Sequence, residues 1–510
     1  MRICLWHGWL LDGTGSNVYM ARTAEALRQA GHDVALLCQD RHPERLGFVD
    51  AWGTVGTEVS DLVHANREQV EGGGQVVTLR PQIGELLPVF VYDEYEGFDA
   101  KTFADLTTEE LNDYIDRNVT ALRTAVAWHR SEIVITGHVV PGGEIGRRAM
   151  GDGGFVTMVH GSDIEYAVKL QDRYSAMATD ALEGALGVVG SSRDVLERTM
   201  RFTQGIRDRM WVAHPGVDVE RFALRQREAS LTHVSTLLET DPDTARGRPT
   251  GLEKEVRGAL TSRDARTIDR LALRYDQMSP DPGTSKVLRS LAAHEGPMVG
   301  YLGKLIPQKG VERVIETMAL LDPDVRALVV GFGTHREWLT ALVEALTAGD
   351  AASHLWLRNN STMRLELDEG AVSAAADIGS RISFTGRLDH RYAPHILAAF
   401  DILVVPSTLP EAFGMVAAEG AAAGALPLVA RHSGLAEVAS TLEGEVGRPG
   451  LFSFEPGDGA TRRVAEGVRA LLGLAPQERE ELRSAISGYV KREWSWEATA
   501  RNVLLATGTR

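Results

Sequence analysis

Two glutamates, Glu411 and Glu419, follow an apolar run, Ile402 to Pro406, that reads as a buried strand. A helix starts near Met415. The backbone amides of Gly414, Met415 and Val416 then lie at a helix N-terminus, where unpaired N–H groups and the helix dipole favour an anion. Glu411 falls on the loop before the helix and Glu419 on its first turns, so the two carboxylates face different parts of one ligand. One carboxylate for a hexose and one for a ribose is a natural division. A glycosidase pair is the rival, and would need carboxyl groups roughly 5 to 9.5 Å apart across a scissile bond. Two solvated helix charges is the plain alternative.

Three further segments carry the same kind of chemistry. Gly303-Lys304-Leu305-Ile306-Pro307-Gln308-Lys309-Gly310 follows a strand and leads into a helix, and its two lysines could bracket a pair of phosphates or simply sit on the surface. Val159-His160-Gly161-Ser162-Asp163 ends a strand, where open parallel sheets place ligands, and a histidine there can hold a hydrogen bond beside a developing charge. His160, Ser162 and Asp163 are too close in sequence to suggest a hydrolytic triad. Asp12-Gly13-Thr14-Gly15-Ser16-Asn17 joins the first strand to the first helix, and glycines there let backbone approach a phosphate.

Pro406-Ser407, Glu411-Ala412-Phe413-Gly414-Met415-Val416, Glu419-Gly420, Gly424 and Pro427-Leu428-Val429-Ala430, followed by Gly434, Glu437 and Val438, resemble the E-x7-E motif and flanks of the retaining glycosyltransferases of family 4. The resemblance implies a GT-B fold, two Rossmann-like parallel-sheet lobes facing an interlobe cleft. It implies that Glu411 bonds donor-sugar hydroxyls and Glu419 the ribose, with Phe413 in the same donor segment. Lys304 and Lys309 match the family's phosphate-binding segment, although Lys304 stands where arginine is usual, so a point charge replaces a planar bidentate contact. His160 matches a histidine that contacts the donor sugar near the reacting carbon. Gly15 matches a glycine of the family's Gly-Gly loop, with Thr14 replacing the other. Phe384-Thr385-Gly386-Arg387-Leu388 resembles the strand end that flanks the base, which brings in Arg387 beside Gly303 on the donor side. His138, in Thr136-Gly137-His138, resembles a position near the acceptor. Val91-Tyr92-Asp93-Glu94-Tyr95-Glu96 offers Asp93 and Tyr95 as acceptor-bonding groups, a solvated loop being the other reading.

Short apolar runs that alternate with helical periodicity must position these residues, the pattern of parallel sheets covered by helices. Ile3–His7, Val34–Cys38, Val76–Leu79, Val89–Tyr92, Ile133–Thr136, Val156–Val159 and Val188–Val189 read as strands of an N-terminal, acceptor lobe over 1–215. Thr107 and Glu110 form a capping box that opens a helix running to about Trp128. A C-terminal nucleotide-sugar donor lobe over 297–480 has strands at Val299–Leu302, Ala327–Val330, Ile382–Phe384, Ile402–Val405 and Leu426–Val429. Over 223–296 the alternation stops. That stretch is expected to be a charged insertion, a helical pair carrying Leu231, Val234, Leu237 and Leu238 and then Leu260, Ile268 and Leu271, with acceptor lid, oligomer contact and inert decoration all open. A shorter polar insertion spans about 348–380. A C-terminal helix over 481–510, with Trp494 and Trp496, is expected to pack back toward the N-terminal lobe.

The bulk numbers limit the partners. At 510 residues more than one core is expected. The net charge of −16 argues against nucleic acid and anionic membranes. No apolar run reaches the roughly 18 residues of a membrane span. Two cysteines, Cys4 and Cys38, each in a buried-strand pattern, argue against a disulfide framework and fit a reducing, cytoplasmic compartment. The reading is a metal-independent retaining hexosyltransferase without cofactor, using a UDP-, GDP- or ADP-sugar and a hydroxylated acceptor, with homo-oligomerisation open. A non-catalytic nucleotide-sugar-binding regulator, a glycoside phosphorylase and a sugar-nucleotide epimerase are the alternatives.

Overall fold

The computed structural model describes residues 1–65, 73–91, 95–375 and 377–508. The chain divides into two compact units, Met1–Gly216 with Trp494–Arg510, and Val217–Glu493.

The first unit is built on a nine-stranded sheet. Its strands are β1 (Arg2–Trp6), β2 (Asp33–Leu37), β3 (Ala51–Val55), β4 (Val59–His64), β5 (Val76–Pro81), β8 (Ile133–Gly137), β9 (Val156–Val159), β10 (Gly187–Gly190) and β11 (Met210–Val212). Their order is β11-β10-β9-β8-β1-β2-β5-β3-β4, parallel apart from the β3–β4 hairpin. The middle strands are buried on both faces, as their unbroken apolar runs require. The hairpin escaped the periodicity reading because β4 is exposed along most of its length and carries no apolar face. The strand expected at Val89–Tyr92 is displaced. Tyr92 lies outside the described residues; among those described the apolar run is used as β6 (Leu86–Val89), which pairs with β7 (Asp99–Thr102) in a separate small sheet, and Val91 beyond it is exposed.

The helix Thr108–His129 starts at the expected capping box, with Thr107 Oγ1 accepting from Glu110 N–H and Glu110 accepting from Thr107 N–H. Its Asn118 is fully buried and accepts from the Trp6 indole at 3.0 Å.

The second unit has a six-stranded parallel sheet in the order β14-β13-β12-β15-β16-β17, with β12 Met298–Leu302, β13 Arg326–Val330, β14 Ile382–Phe384, β15 Ile402–Val405, β16 Leu426–Ala430 and β17 Ser453–Phe454. Apart from Glu419 the helix Met415–Ala423 is apolar, and Ala417, Ala418 and Gly420 to Ala423 are buried. A Cβ on Gly420 would stand 2.5 Å from Leu403, and on the far side the helix Pro476–Glu493 covers it, with Ser487 donating to Ala422 C=O at 2.8 Å.

The insertion is larger than the expected helical pair. It forms four helices, Arg227–Glu239, Leu252–Thr261, Ala265–Leu271 and Thr284–Ala292. The second periodic stretch breaks because Arg263 takes a left-handed turn and Asp264 caps a new helix, so Leu260 and Ile268 sit on different helices. Leu231, Val234 and Leu238 are buried as the spacing predicts, while Leu237 is exposed. Arg248, almost fully buried, makes two bonds to Glu337 at 2.8 and 2.9 Å, and Tyr275 donates to the same carboxylate at 2.8 Å.

The C-terminal stretch forms two helices. Pro476–Glu493 packs within the second unit, and Trp496–Leu505, capped by Ser495, packs against the helix Gly15–Gln29 of the first. Trp494 is buried and the Trp496 ring lies 6.0 Å from Tyr19.

Candidate functional site

In the second unit the carboxyl ends of β12 and β15 meet. The loop after β12 turns through a short helical turn, Pro307–Lys309, and Gly310 in a left-handed conformation. A Cβ on Gly310 would stand 2.5 Å from Pro406 C=O, so the two loops abut. Lys309 Nζ lies 2.6 Å from Glu411 Oε1, and Ser407 donates to the same oxygen. Both partners remain partly open to solvent, a setting in which an ion pair contributes about 0–1 kcal/mol to stability. Their arrangement is therefore of more interest for what it can bind than for what it stabilises.

Glu411 is held from behind. Its N–H donates to Ser433 Oγ at 2.9 Å, its C=O accepts from Gly434 N–H at 2.9 Å, and His432 bridges Ser433 to the Ser407 carbonyl. His432 and Ser433 went unnoticed in the sequence because they are isolated small and polar residues on the next strand end. Gly434 must be glycine, since a Cβ would stand 2.5 Å from Phe413 Cα.

The helix Met415–Ala423 begins at Gly414, whose φ of 105° favours glycine, and no side chain caps it. Among the described residues the Met415 and Val416 N–H groups have no hydrogen-bond partner. Glu419, half-buried on the second turn, has no hydrogen-bonded partner among the described residues either. Burial pushes its carboxyl up to about 8, against the pull of Arg221, with Asp218 adding to the rise. Phe413 is buried, so its side chain faces the core.

Lys304 is exposed, and its carbonyl accepts from Tyr301 OH at 2.8 Å. Arg387 follows β14 and lies over the Phe332 ring at 5.3 Å. The insertion reaches this point, with Arg387 N–H donating to Ser279 C=O and Asp281 N–H to Thr385 C=O at 2.7 Å. Gly303 ends β12 beside Gly331, where a Cβ would meet Gly303 C=O at 1.8 Å. The structure thus brings Lys309 and Glu411 into contact; Lys304 and Arg387 stand on separate loops of the same unit.

In the first unit the ends of β1, β8 and β9 carry His7, His138 and His160, all buried. His138 lies 4.4 Å from His160 and 5.9 Å from His7 between ring centroids, with Trp9 and Phe90 packed on it. Among the described residues both His138 ring nitrogens and His160 Nε2 have no partner. Desolvation pulls His7 down to about 4 and His160 to about 3, and holds His138 well below its ordinary value, so all three are neutral at pH 7. Asp163 ties two of these loops together, accepting from Val139 N–H at 2.8 Å and Gly161 N–H at 2.9 Å. Sequence reasoning missed His7, which sits in the first strand's apolar run, and the tying role of Asp163.

Gly15 is the first residue of the helix capped by Thr14, and a Cβ there would meet nothing within 4 Å. Thr14 caps the helix through its side chain, which accepts from Asn17 N–H. Tyr95 is half-buried on a turn closed by Phe98 N–H, and Asp93 lies outside the described residues.

Residues 296–473 match the model of the family described as Glycosyl transferases group 1. A search of curated proteins found no match. Among solved structures, the chain is similar to a sucrose-phosphate synthase from Thermosynechococcus elongatus, at 17% identity and a TM-score of 0.54, covering 99% of this chain and 97% of that one. It is also similar to HepE of Anabaena in complex with UDP and glucose, at 15% identity and a TM-score of 0.56, covering 99% of each chain. A glycosyltransferase from Rickettsia africae matches at 12% identity and a TM-score of 0.56, over 99% of this chain and 97% of that one. The fold is GT-B, two α/β units each on a largely parallel sheet.

Proposed function

We propose that the protein is a retaining glycosyltransferase that moves a hexose from a nucleoside-diphosphate sugar to a hydroxyl-bearing acceptor. The observation that carries this reading is the Lys309–Glu411 pair beside an uncapped helix N-terminus and the unpartnered Glu419. A diphosphate would take Lys309, Lys304 and the Met415 and Val416 amides, which leaves Glu411 free to accept sugar hydroxyls while Glu419 accepts those of the ribose. Phosphate charge that grows as the leaving group departs is stabilised by fixed donors of this kind, without a metal. The C1–O bond to the diphosphate breaks with its electron pair going to phosphate oxygen. The acceptor oxygen forms the new bond to C1 on the same face, and its proton passes to the departing phosphate.

The family match over 296–473 and the UDP and glucose complexes of a structural neighbour support a nucleotide sugar, and make UDP-glucose the first donor to try. The test is nucleoside diphosphate release from UDP-, GDP- and ADP-sugars with a panel of hydroxylated acceptors, read by mass spectrometry. Acceptor-dependent release with retained anomeric configuration is expected, and chelation should leave it unchanged. Glu411→Ala should lower turnover at least about hundredfold with the fold intact; wild-type turnover in that variant overturns the assignment.

A further inference from the structure

A cavity of about 190 Å³ lies in the first unit where the hairpin β3–β4 meets β5 and the end of β2. This is room for one small ring and no more. The sheet register explains its lining. Trp52 pairs with Thr78 and Thr54 with Arg80, so with a period of two these four side chains share one face. The ladder between β3 and β4 shifts register between Trp52 and Thr54, and there Asp61 takes a left-handed φ of 53°, a conformation an aspartate adopts at some cost.

What the lining groups already do decides what they can still bind. Each Asp40 oxygen accepts one N–H, from Leu11 and from His42, which fixes the carboxylate. Arg41 donates one N–H to Gly97 C=O and lies over the Phe98 ring, which holds its guanidinium in place. Asp61 accepts from Thr54 on Oδ2, which leaves Oδ1 open. Thr78 Oγ1 is buried, with 2% of the residue exposed, and has no partner among the described residues. No hydrogen bond or ion pair engages the half-buried Arg80 guanidinium among the described residues. A buried hydroxyl without a partner costs stability unless a ligand or water completes it. The open chemistry is one guanidinium, one hydroxyl, one carboxylate oxygen and the side of an indole.

We propose that this cavity binds a hydroxylated ring carrying an anionic group, with Arg80 on the anion, Thr78 and Asp61 on ring hydroxyls and Trp52 as the wall. A guanidinium fork suits carboxylate and phosphate alike.

The experiment is titration of the protein, with no donor present, by glucose 6-phosphate, glucuronate and glucose, followed by calorimetry and by the Trp52 indole N–H resonance assigned with Trp52→Phe. Glucose 6-phosphate, glucuronate or both should bind at least about tenfold more tightly than glucose and shift that resonance, and which of them does so names phosphate or carboxylate as the anion. Arg80→Met should abolish the preference for the charged sugar, and Arg80→Lys should keep part of it. Thr78→Val, nearly the same shape, should weaken binding several-fold. Binding of none of the three, equal affinity for glucose, or unchanged affinity in Arg80→Met overturns the site. UDP titration of the same variants separates this result from the donor reading: loss of sugar binding with UDP affinity retained points to the cavity alone.

Discussion

Lys309 and Glu411 neutralise each other in the free protein, and a bound diphosphate would have to draw the lysine away. Lys309→Ala should therefore weaken UDP binding by roughly 10- to 100-fold, the worth of one charge-assisted bond, as measured by calorimetry. Glu419 gives a second expectation. With its carboxyl at about 8 when folded and near 4.5 unfolded, the folded state holds the proton over that interval. Its contribution to stability is then fully present below pH 4.5 and is lost as pH rises toward 8. Glu419→Gln should flatten that part of the melting temperature against pH curve. Ribose hydroxyls favour the ionised form, so UDP binding at pH 7 should release a proton, visible as a buffer-dependent binding enthalpy.

Strand ends and the insertion set the next scale. The three buried histidines at the ends of β1, β8 and β9 have lowered values, so the unfolded chain takes up protons below about 6.5 that the folded one refuses. The stability they confer is present above 6.5 and is lost as pH falls toward 4. Asp163 beside them works the other way, pushed up to about 6 by burial, and offsets part of the loss between 6 and 3.8. His138→Phe should make the protein less sensitive to acid when its melting temperature is followed from pH 7 to 4.5. In the second unit, Arg248 fastens the insertion to Glu337 where both are buried. Arg248→Ala leaves a buried carboxylate without its main partner and should cost about 3–5 kcal/mol in denaturant unfolding.

Taken whole, the molecule closes its first unit with its last helix. Trp496–Leu505 brings Ala500 and Val503 into the core that also contains Tyr19 and Leu27, and Thr499 donates to His214 C=O at 2.7 Å. Truncation after Glu493 should lower the stability of the first unit selectively and appear in calorimetry as a separate, earlier transition.

The sequence by itself determined most of the buried sheet strands and the strand, turn and helix that carry Glu411 and Glu419. Apolar runs marked β1, β2, β8, β9 and most strands of the second unit, because buried parallel strands carry their signal in every residue. Glu411, Lys309 and the helix N-terminus at Met415 were legible because local backbone, strand then turn then helix, already aims them. Only the tertiary structure decided which of them touch. The Lys309–Glu411 contact joins groups 102 residues apart, and the Trp52, Thr78 and Arg80 wall depends on the register of β3 against β5, which no alternating hydrophobic pattern in β3 announces. His7 and His138 each end an ordinary buried strand, and their shared surroundings exist only once β1 and β8 pair. The four-helix insertion was half legible for the same reason: periodicity shows which face of a helix is apolar, and what that face packs against is settled by contacts such as Arg248 with Glu337 that lie far apart in the chain.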